Sequence, residues 1–192
     1  MLIDGAMGTL LFSRGVPQRA SLDELVESRA DLIGAIHREY IEAGADVIET
    51  NSFGANRFRL APHGIAAKAA LLNRRAAQIA REARDVAGKG DVMVAGSIGP
   101  LETPLHGPDT PGEQDIRAAF REQIEGLLEG GVDLLLFETF SDLRELLIGI
   151  EEAHALADLP VIAQMTFGEE LSAMDGTSPQ TAATALARAG VD

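Results

Sequence analysis

The sequence predicts an α/β fold on a parallel sheet, read as a TIM (β/α)8 barrel truncated to about its first five βα units. Three observations carry this. Short runs that are apolar on both faces alternate with longer segments of helical period, the pattern of buried parallel strands and their crossover helices. Polar residues stand at the end of every run, whereas a doubly wound sheet concentrates them at one crossover. The first turn, Asp4-Gly5-Ala6-Met7-Gly8-Thr9, lacks the G-x-G-x-x-G spacing of a dinucleotide fold, which counts against that competing architecture.

The strand runs are Met1-Leu2-Ile3, Ala45–Ile48, Val92–Ala95, Val132–Phe137 and Val161–Ala163. Between them the spacing predicts helices. Over 31–43, Ile33, Ile36 and Tyr40 face inward. Over 65–86, Ile65, Ala69, Leu72, Ala76, Ile79, Ala83 and Val86 make one stripe opposite Arg74, Arg75, Arg81, Glu82 and Arg84. Segments 113–129 and 142–157 repeat the pattern. Thr110-Pro111-Gly112-Glu113 reads as an N-cap hydroxyl followed by proline and glutamate, and Ser178-Pro179 opens a last helix in the same way. Ser21–Glu24 suggests a short extra helix. Gly44-Ala45-Asp46 and Gly131-Val132-Asp133 each lead into a strand, and Gly190-Val191-Asp192 repeats them where a sixth strand is expected. Residues 1–192 therefore read as the N-terminal part of one barrel domain. Unclosed, it should show an apolar concave face and open edges that favour association or low stability.

With 192 residues, 46% of them hydrophobic, the chain can bury one sizeable core. A net charge of −14 repels phosphate backbones and argues against nucleic-acid partners. Cysteine is absent, no basic leader precedes an apolar stretch, and no run approaches the ~18 apolar residues of a membrane span, so a soluble cytoplasmic protein is expected.

Candidate chemistry lies at the strand ends. Asp4 could pair with an ammonium, and Gly5 and Ala6 would let backbone amides approach a carboxylate; the plain alternative is a turn in which Asp4 accepts backbone N–H bonds. Glu49 to Asn56 is a dense polar cluster leaving a buried strand. Gly96-Ser97-Ile98-Gly99-Pro100 reads as a tight turn after the third strand, with close backbone approach. Glu138 follows the most hydrophobic strand, where a carboxylate faces either a ligand or a loop arginine. Gln164 and Thr166 could face the same pocket. No lysine stands at a strand end, which argues against a Schiff-base aldolase. His37, His63, His106 and His154 are scattered, with His37 and His154 expected at the surface or rim.

The segments DGAMGT (4–9), EYIEAGADVIETNSFGAN (39–56), GSIGPL (96–101), GVDLLLFETFSDL (131–143) and AQMTFG (163–168) together resemble the homocysteine S-methyltransferase family. AQMTFG and DGTSPQTAA (175–183) look most like members fused to a methylenetetrahydrofolate reductase domain. The resemblance implies a (β/α)8 barrel that methylates the sulfur of homocysteine to give methionine. The donor would be S-methylmethionine, S-adenosylmethionine, betaine, or methyltetrahydrofolate through cobalamin. It places Asp4 and Glu138 on the substrate ammonium, the backbone of Gly5 and Ala6 near its carboxylate, and Asn51 and Ser97 in the pocket wall. It also implies a zinc ion held by three cysteines, one after strand six and a pair after strand eight. This chain has no cysteine, so it is expected to supply the homocysteine-binding half and no catalytic residue or metal ligand of its own. The competing expectation is a degenerate, non-catalytic barrel that binds an amino acid or a partner chain.

Overall fold

The computed structural model describes residues 1–103 and 110–192. Four parallel strands, β1 (Val47–Glu49), β2 (Met93–Ile98), β3 (Leu134–Phe140) and β4 (Val161–Met165), lie side by side in chain order. The first predicted strand is reduced to a single parallel bridge, Ile3 to Val47. It has a partner on one side only, and Met1 and Leu2 are exposed. Sequential order without reversal is the winding of a (β/α) barrel and excludes the switch point of a doubly wound sheet.

Helices α1 (Met7–Ser13), α2 (Leu25–Ser28), α3 (Ala30–Glu42), α4 (Arg57–Leu60), α5 (Ala69–Ala87), α6 (Glu113–Gly130), α7 (Leu143–Leu156) and α8 (Pro179–Ala189) complete the chain. The long ones pack in sequence, α3 on α5, α5 on α6, α6 on α7 and α7 on α8. Alternation along the strands divides the core. Ile48, Val94, Ile98, Leu135, Phe137 and Val161 face the helices, with Phe120, Phe137 and Phe140 in mutual ring contact. Val47, Ala95, Leu134 and Leu136 form a second cluster with Ile3, Met93 and Ile162 on the opposite face. That face is apolar as expected, but its four central residues are at most 3% exposed. In register, Val47 lies beside Met93 and Ala95 beside Leu134, and these side chains cover one another.

The repeated G-x-D tripeptide is a strand-start clamp. Gly44, Gly131 and Gly190 all take left-handed φ, which ends the preceding helix or turn without a Cβ penalty. The following aspartate then grips the neighbouring strand twice. The Asp46 amide donates to Leu2 O (2.8 Å) while its carboxylate accepts from Leu2 N (2.7 Å). Asp133 does the same to Val94 (2.8 and 2.7 Å), and Asp192 to Val161 (2.9 and 3.0 Å).

Several local expectations are corrected. The helix predicted from Ile65 begins at Ala69, after a 3-10 turn at Ala66–Lys68. The cap of α6 is Gly112 and not Thr110; it has no side chain to cap with, and Glu113 and Asp115 in the first turn complement the helix dipole instead. The short helix expected at Ser21–Glu24 forms at Leu25–Ser28, and α1 forms where only a turn was expected. Ser178 does cap α8, accepting from Thr181 N at 3.2 Å. His37 is fully buried rather than at the rim. It shares the stripe Ile33-Ile36-His37-Ile41 on the face of α3 that packs inward. His154 is exposed as expected, and His106 lies outside the described residues.

Candidate active site

Six of the strand-end residues singled out, Asp4, Gly5, Ala6, Asn51, Ser97 and Glu138, line one cavity of about 950 Å³. Alternation puts three of its groups there. Val47, Ala95 and Leu136 face away from the helices, so Glu49, Ser97 and Glu138, two residues further on, project from the same face beyond the apolar cluster. The bridge from Ile3 to Val47 brings Asp4 alongside, where both its oxygens accept from Glu49 N at 3.2 Å. The turn reading of Asp4 therefore holds together with its place in the cavity.

Glu138 keeps its orientation through a break in β3. Thr139 has φ +64, a left-handed conformation that a β-branched residue rarely adopts, at the register shift between Phe137 and Phe140. This bulge returns Phe140 to the helix-facing core while Glu138 stays turned toward the cavity. The Ser97 hydroxyl donates to Glu138 Oε1 at 2.6 Å.

The three carboxylates crowd one another. Burial pushes Asp4 up to about 7, against the amide of Glu49 that favours its charged form and with the charge of Glu138 adding to the rise. Burial likewise pushes Glu49 up to about 8, with the charges of Glu138 and Asp4 adding to the rise. Among the described residues their side chains bond to a backbone amide and the Ser97 hydroxyl, and no arginine is paired with them. The loop-arginine alternative for Glu138 is thus not what forms. Arg59 pairs instead with Glu102 and lies 5.1 Å over the Phe53 ring, elsewhere on the cavity wall.

The rest of the wall is held by backbone-directed side chains. Tyr40 Oη donates to Ala6 O at 3.1 Å, and a Cβ on Gly5 would lie 3.1 Å from that same hydroxyl, so glycine permits the approach. Asn51 donates to Leu22 O at 2.8 Å, which makes it an anchor for the loop before α2 as well as a lining residue. Gln164 and Thr166 are exposed and do not line the cavity. Asp23, Arg59 and the first turn of α1 are lining residues that the sequence reading did not single out, and Glu49 was named there only as the head of the polar cluster Glu49 to Asn56, with no role of its own. For Glu49 the signal was present, since it ends its strand as Glu138 does. Among the described residues no group of three or more His, Asp or Glu is placed to hold a metal ion, and no helix is long and apolar enough to cross a membrane.

Comparison with known proteins agrees with this layout. The chain is 36% identical to methionine synthase of Mycobacterium tuberculosis and 35% identical to that of Mycobacterium leprae. Each match covers all of this chain but 17% of the relative, so the chain spans about a sixth of those proteins. Among solved structures it superposes on the homocysteine methyltransferase MmuM from Escherichia coli. The oxidized form gives a TM-score of 0.84 at 29% identity, covering 97% of this chain and 69% of that one. The metallated form gives 0.85 at 28%, covering 98% and 70%. Residues 1–192 match the homocysteine S-methyltransferase family description throughout. With the barrel winding, the strand-end carboxylates and the full-length match in agreement, this chain belongs to the homocysteine S-methyltransferase family.

Proposed function

We propose that this chain is the homocysteine-binding part of an enzyme that transfers a methyl group to the homocysteine sulfur, giving methionine. The observation that carries the reading is a set of three partly buried carboxylates, Asp4, Glu49 and Glu138, that meet in one cavity and, among the described residues, form no ion pair with a cation of the protein. Such a group of like charges is costly to ionise in the absence of a positive partner. An α-ammonium supplies that partner, with Asp4 and Glu138 as its direct acceptors. The backbone of Gly5 and Ala6 lies at the cavity wall where the substrate carboxylate would rest, with Asn51 and Ser97 beside it.

In the transfer, the thiol gives up its proton, the sulfur forms a bond to the methyl carbon, and the donor keeps the electron pair of the bond that breaks. The family draws its donors from S-methylmethionine, S-adenosylmethionine, betaine and methyltetrahydrofolate. Zinc thiolate chemistry would favour the deprotonated sulfur, and one of the solved relatives is a metallated form. The residues of this chain do not fit such a site, since it has no cysteine and the described residues offer no ligand cluster. Its own residues bind and orient the amino-acid end of the substrate. AQMTFG and DGTSPQTAA further support a gene in which this domain is joined to a methylenetetrahydrofolate reductase, and the lack of cysteine supports a reducing, cytoplasmic setting.

Calorimetric titration with L-homocysteine and with 4-mercaptobutanoate, which lacks only the ammonium, tests the reading. Homocysteine should bind at least about tenfold more tightly, as a charge-assisted contact requires. Asp4→Asn and Glu138→Gln should erase the difference. Equal binding of the two ligands to the unmodified chain would refute the proposal.

A further inference from the structure

β1 ends at Glu49, opposite Ala95 of β2, so on that side the next residues of β2 pair with no strand among the described residues. Ser97 N–H and C=O point to partners there, and both are buried, with Ser97 2% exposed. The loop after β1 supplies those partners from side chains. Ser97 N donates to Thr50 Oγ1 at 3.0 Å, and Ser52 Oγ donates to Ser97 O at 2.8 Å. Thr50 Oγ1 and Ser52 Oγ are 2.6 Å apart. The Ser52 proton is committed to the Ser97 carbonyl, so Thr50 is the donor between the two hydroxyls. The three residues therefore close a ring in which every proton has one acceptor. The ring is fixed from behind, because Gln123 of α6, fully buried, donates to Ser52 O at 2.8 Å. With its backbone held on both sides, Ser97 has one group left to direct, its hydroxyl, and that hydroxyl is on Glu138 Oε1 at 2.6 Å.

We infer that Ser97, locked by the Thr50–Ser52 hydroxyl ring, is a positioning residue that aims Glu138 at the substrate ammonium. This deepens the amino-acid reading of the cavity and rests on it. A hydroxyl that can donate only toward Glu138 selects one carboxylate rotamer, and it leaves the second oxygen directed to the ligand. The Thr50 and Ser52 hydroxyls thus act on the site through Ser97.

The test uses the full 192-residue chain and titrates homocysteine and 4-mercaptobutanoate into wild type, Ser97→Ala, Ser97→Thr and Thr50→Val. The expected result for S97A is a loss of homocysteine affinity of about 10- to 100-fold, the range of a charge-assisted hydrogen bond, with a clearly smaller loss for 4-mercaptobutanoate, so that the ratio of the two affinities falls. S97T should restore affinity to within about threefold. T50V, which removes the acceptor of Ser97 N–H, should move the same ratio in the same direction as S97A. A merely structural role would weaken both ligands alike, or neither, and either outcome overturns the inference. The 13C chemical shift of the Glu138 carboxyl in ligand-free protein separates this inference from the functional reading. If wild type does not distinguish the two ligands, the amino-acid reading fails. The positioning contact is still supported if that shift moves in S97A and returns in S97T, and it is overturned if the shift stays put.

Discussion

Replacing Gly126 by alanine should loosen the helix pair that anchors the site. Gly126 and Gly130 stand four apart on α6, on the face packed against α5. A Cβ at 126 would lie 2.5 Å from Ala70 O and 2.9 Å from Asn73 Cβ. Carbon pairs settle at about 3.5–4.0 Å, so α5 and α6 would have to part by roughly 1 Å. Neither atom can rotate away, because one is backbone and the other is the first atom of a side chain. Alanine gains about 1 kcal/mol of helix propensity over glycine, whereas overpacking costs about 1–3 kcal/mol. The rigidity of both neighbours puts the cost at the upper end, for a net loss of about 1–2 kcal/mol. At about 2–4 °C per kcal/mol for a domain of this size, the Tm should fall by roughly 2–8 °C. The effect should reach the cavity, because Asn73 donates to Ala55 O at 2.7 Å and so holds the loop after β1. Thermal melts and urea titrations of G126A, with Gly90→Ala as a control where a Cβ meets nothing within 4 Å, measure the stability arm. Homocysteine titration measures the other. A G126A chain as stable as wild type with unchanged affinity would show that the helix pair yields freely and the reasoning is wrong.

Three further outcomes are expected. Asp4 and Glu49 are raised by burial from 3.8 and 4.5 to about 7 and about 8, so the folded chain holds their protons more tightly than the unfolded chain does. Their contribution is full below the unfolded values and is lost as pH rises through the folded ones. Urea stability should therefore decline from about pH 4 toward pH 8, and Glu49→Gln should flatten that slope. His37 runs the other way: burial lowers it from 6.5 to about 4, so it is neutral when folded, and its contribution is lost as pH falls from 6.5 through 4. Among the described residues neither ring nitrogen has a partner, and His37→Leu should remove the acid-side loss and add about 1–2 kcal/mol at neutral pH; a less stable H37L would refute this. Asp133→Ala should cost about 1–3 kcal/mol in urea melts, because the buried amide of Val94 loses its acceptor.

Much of this was legible in the sequence because it is local or periodic. The run Leu134–Phe137 is apolar on both faces and forms a fully buried parallel strand as expected, whereas Val161–Ala163, read in the same way, forms a parallel strand in which only Val161 is buried. The strand-end rule placed Asp4, Ser97 and Glu138 in a common site, and the cavity contains all three. The G-x-D repeat marked the strand starts correctly, although its mechanism, a carboxylate gripping the adjacent strand, emerges only from the paired distances. His37 was misplaced by residue type. Its spacing with Ile33, Ile36 and Ile41 puts it on the inward stripe, and position on that stripe outweighs the polarity of imidazole.

By itself, then, the sequence determined the order of elements, the parallel winding and the set of polar residues at the carboxyl ends of the strands, since each follows from periodicity and chain order. Tertiary structure alone decided which of those residues touch. Whether Glu138 would meet a loop arginine or other carboxylates depended on the register that sets Ala95 beside Leu134 and on the bulge at Thr139. Whether Thr50 and Ser52 would bind a ligand or the Ser97 backbone depended on where β1 stops. Such contacts join residues more than 40 positions apart. They are set by how strands align across the sheet, and no local pattern along the chain encodes that alignment.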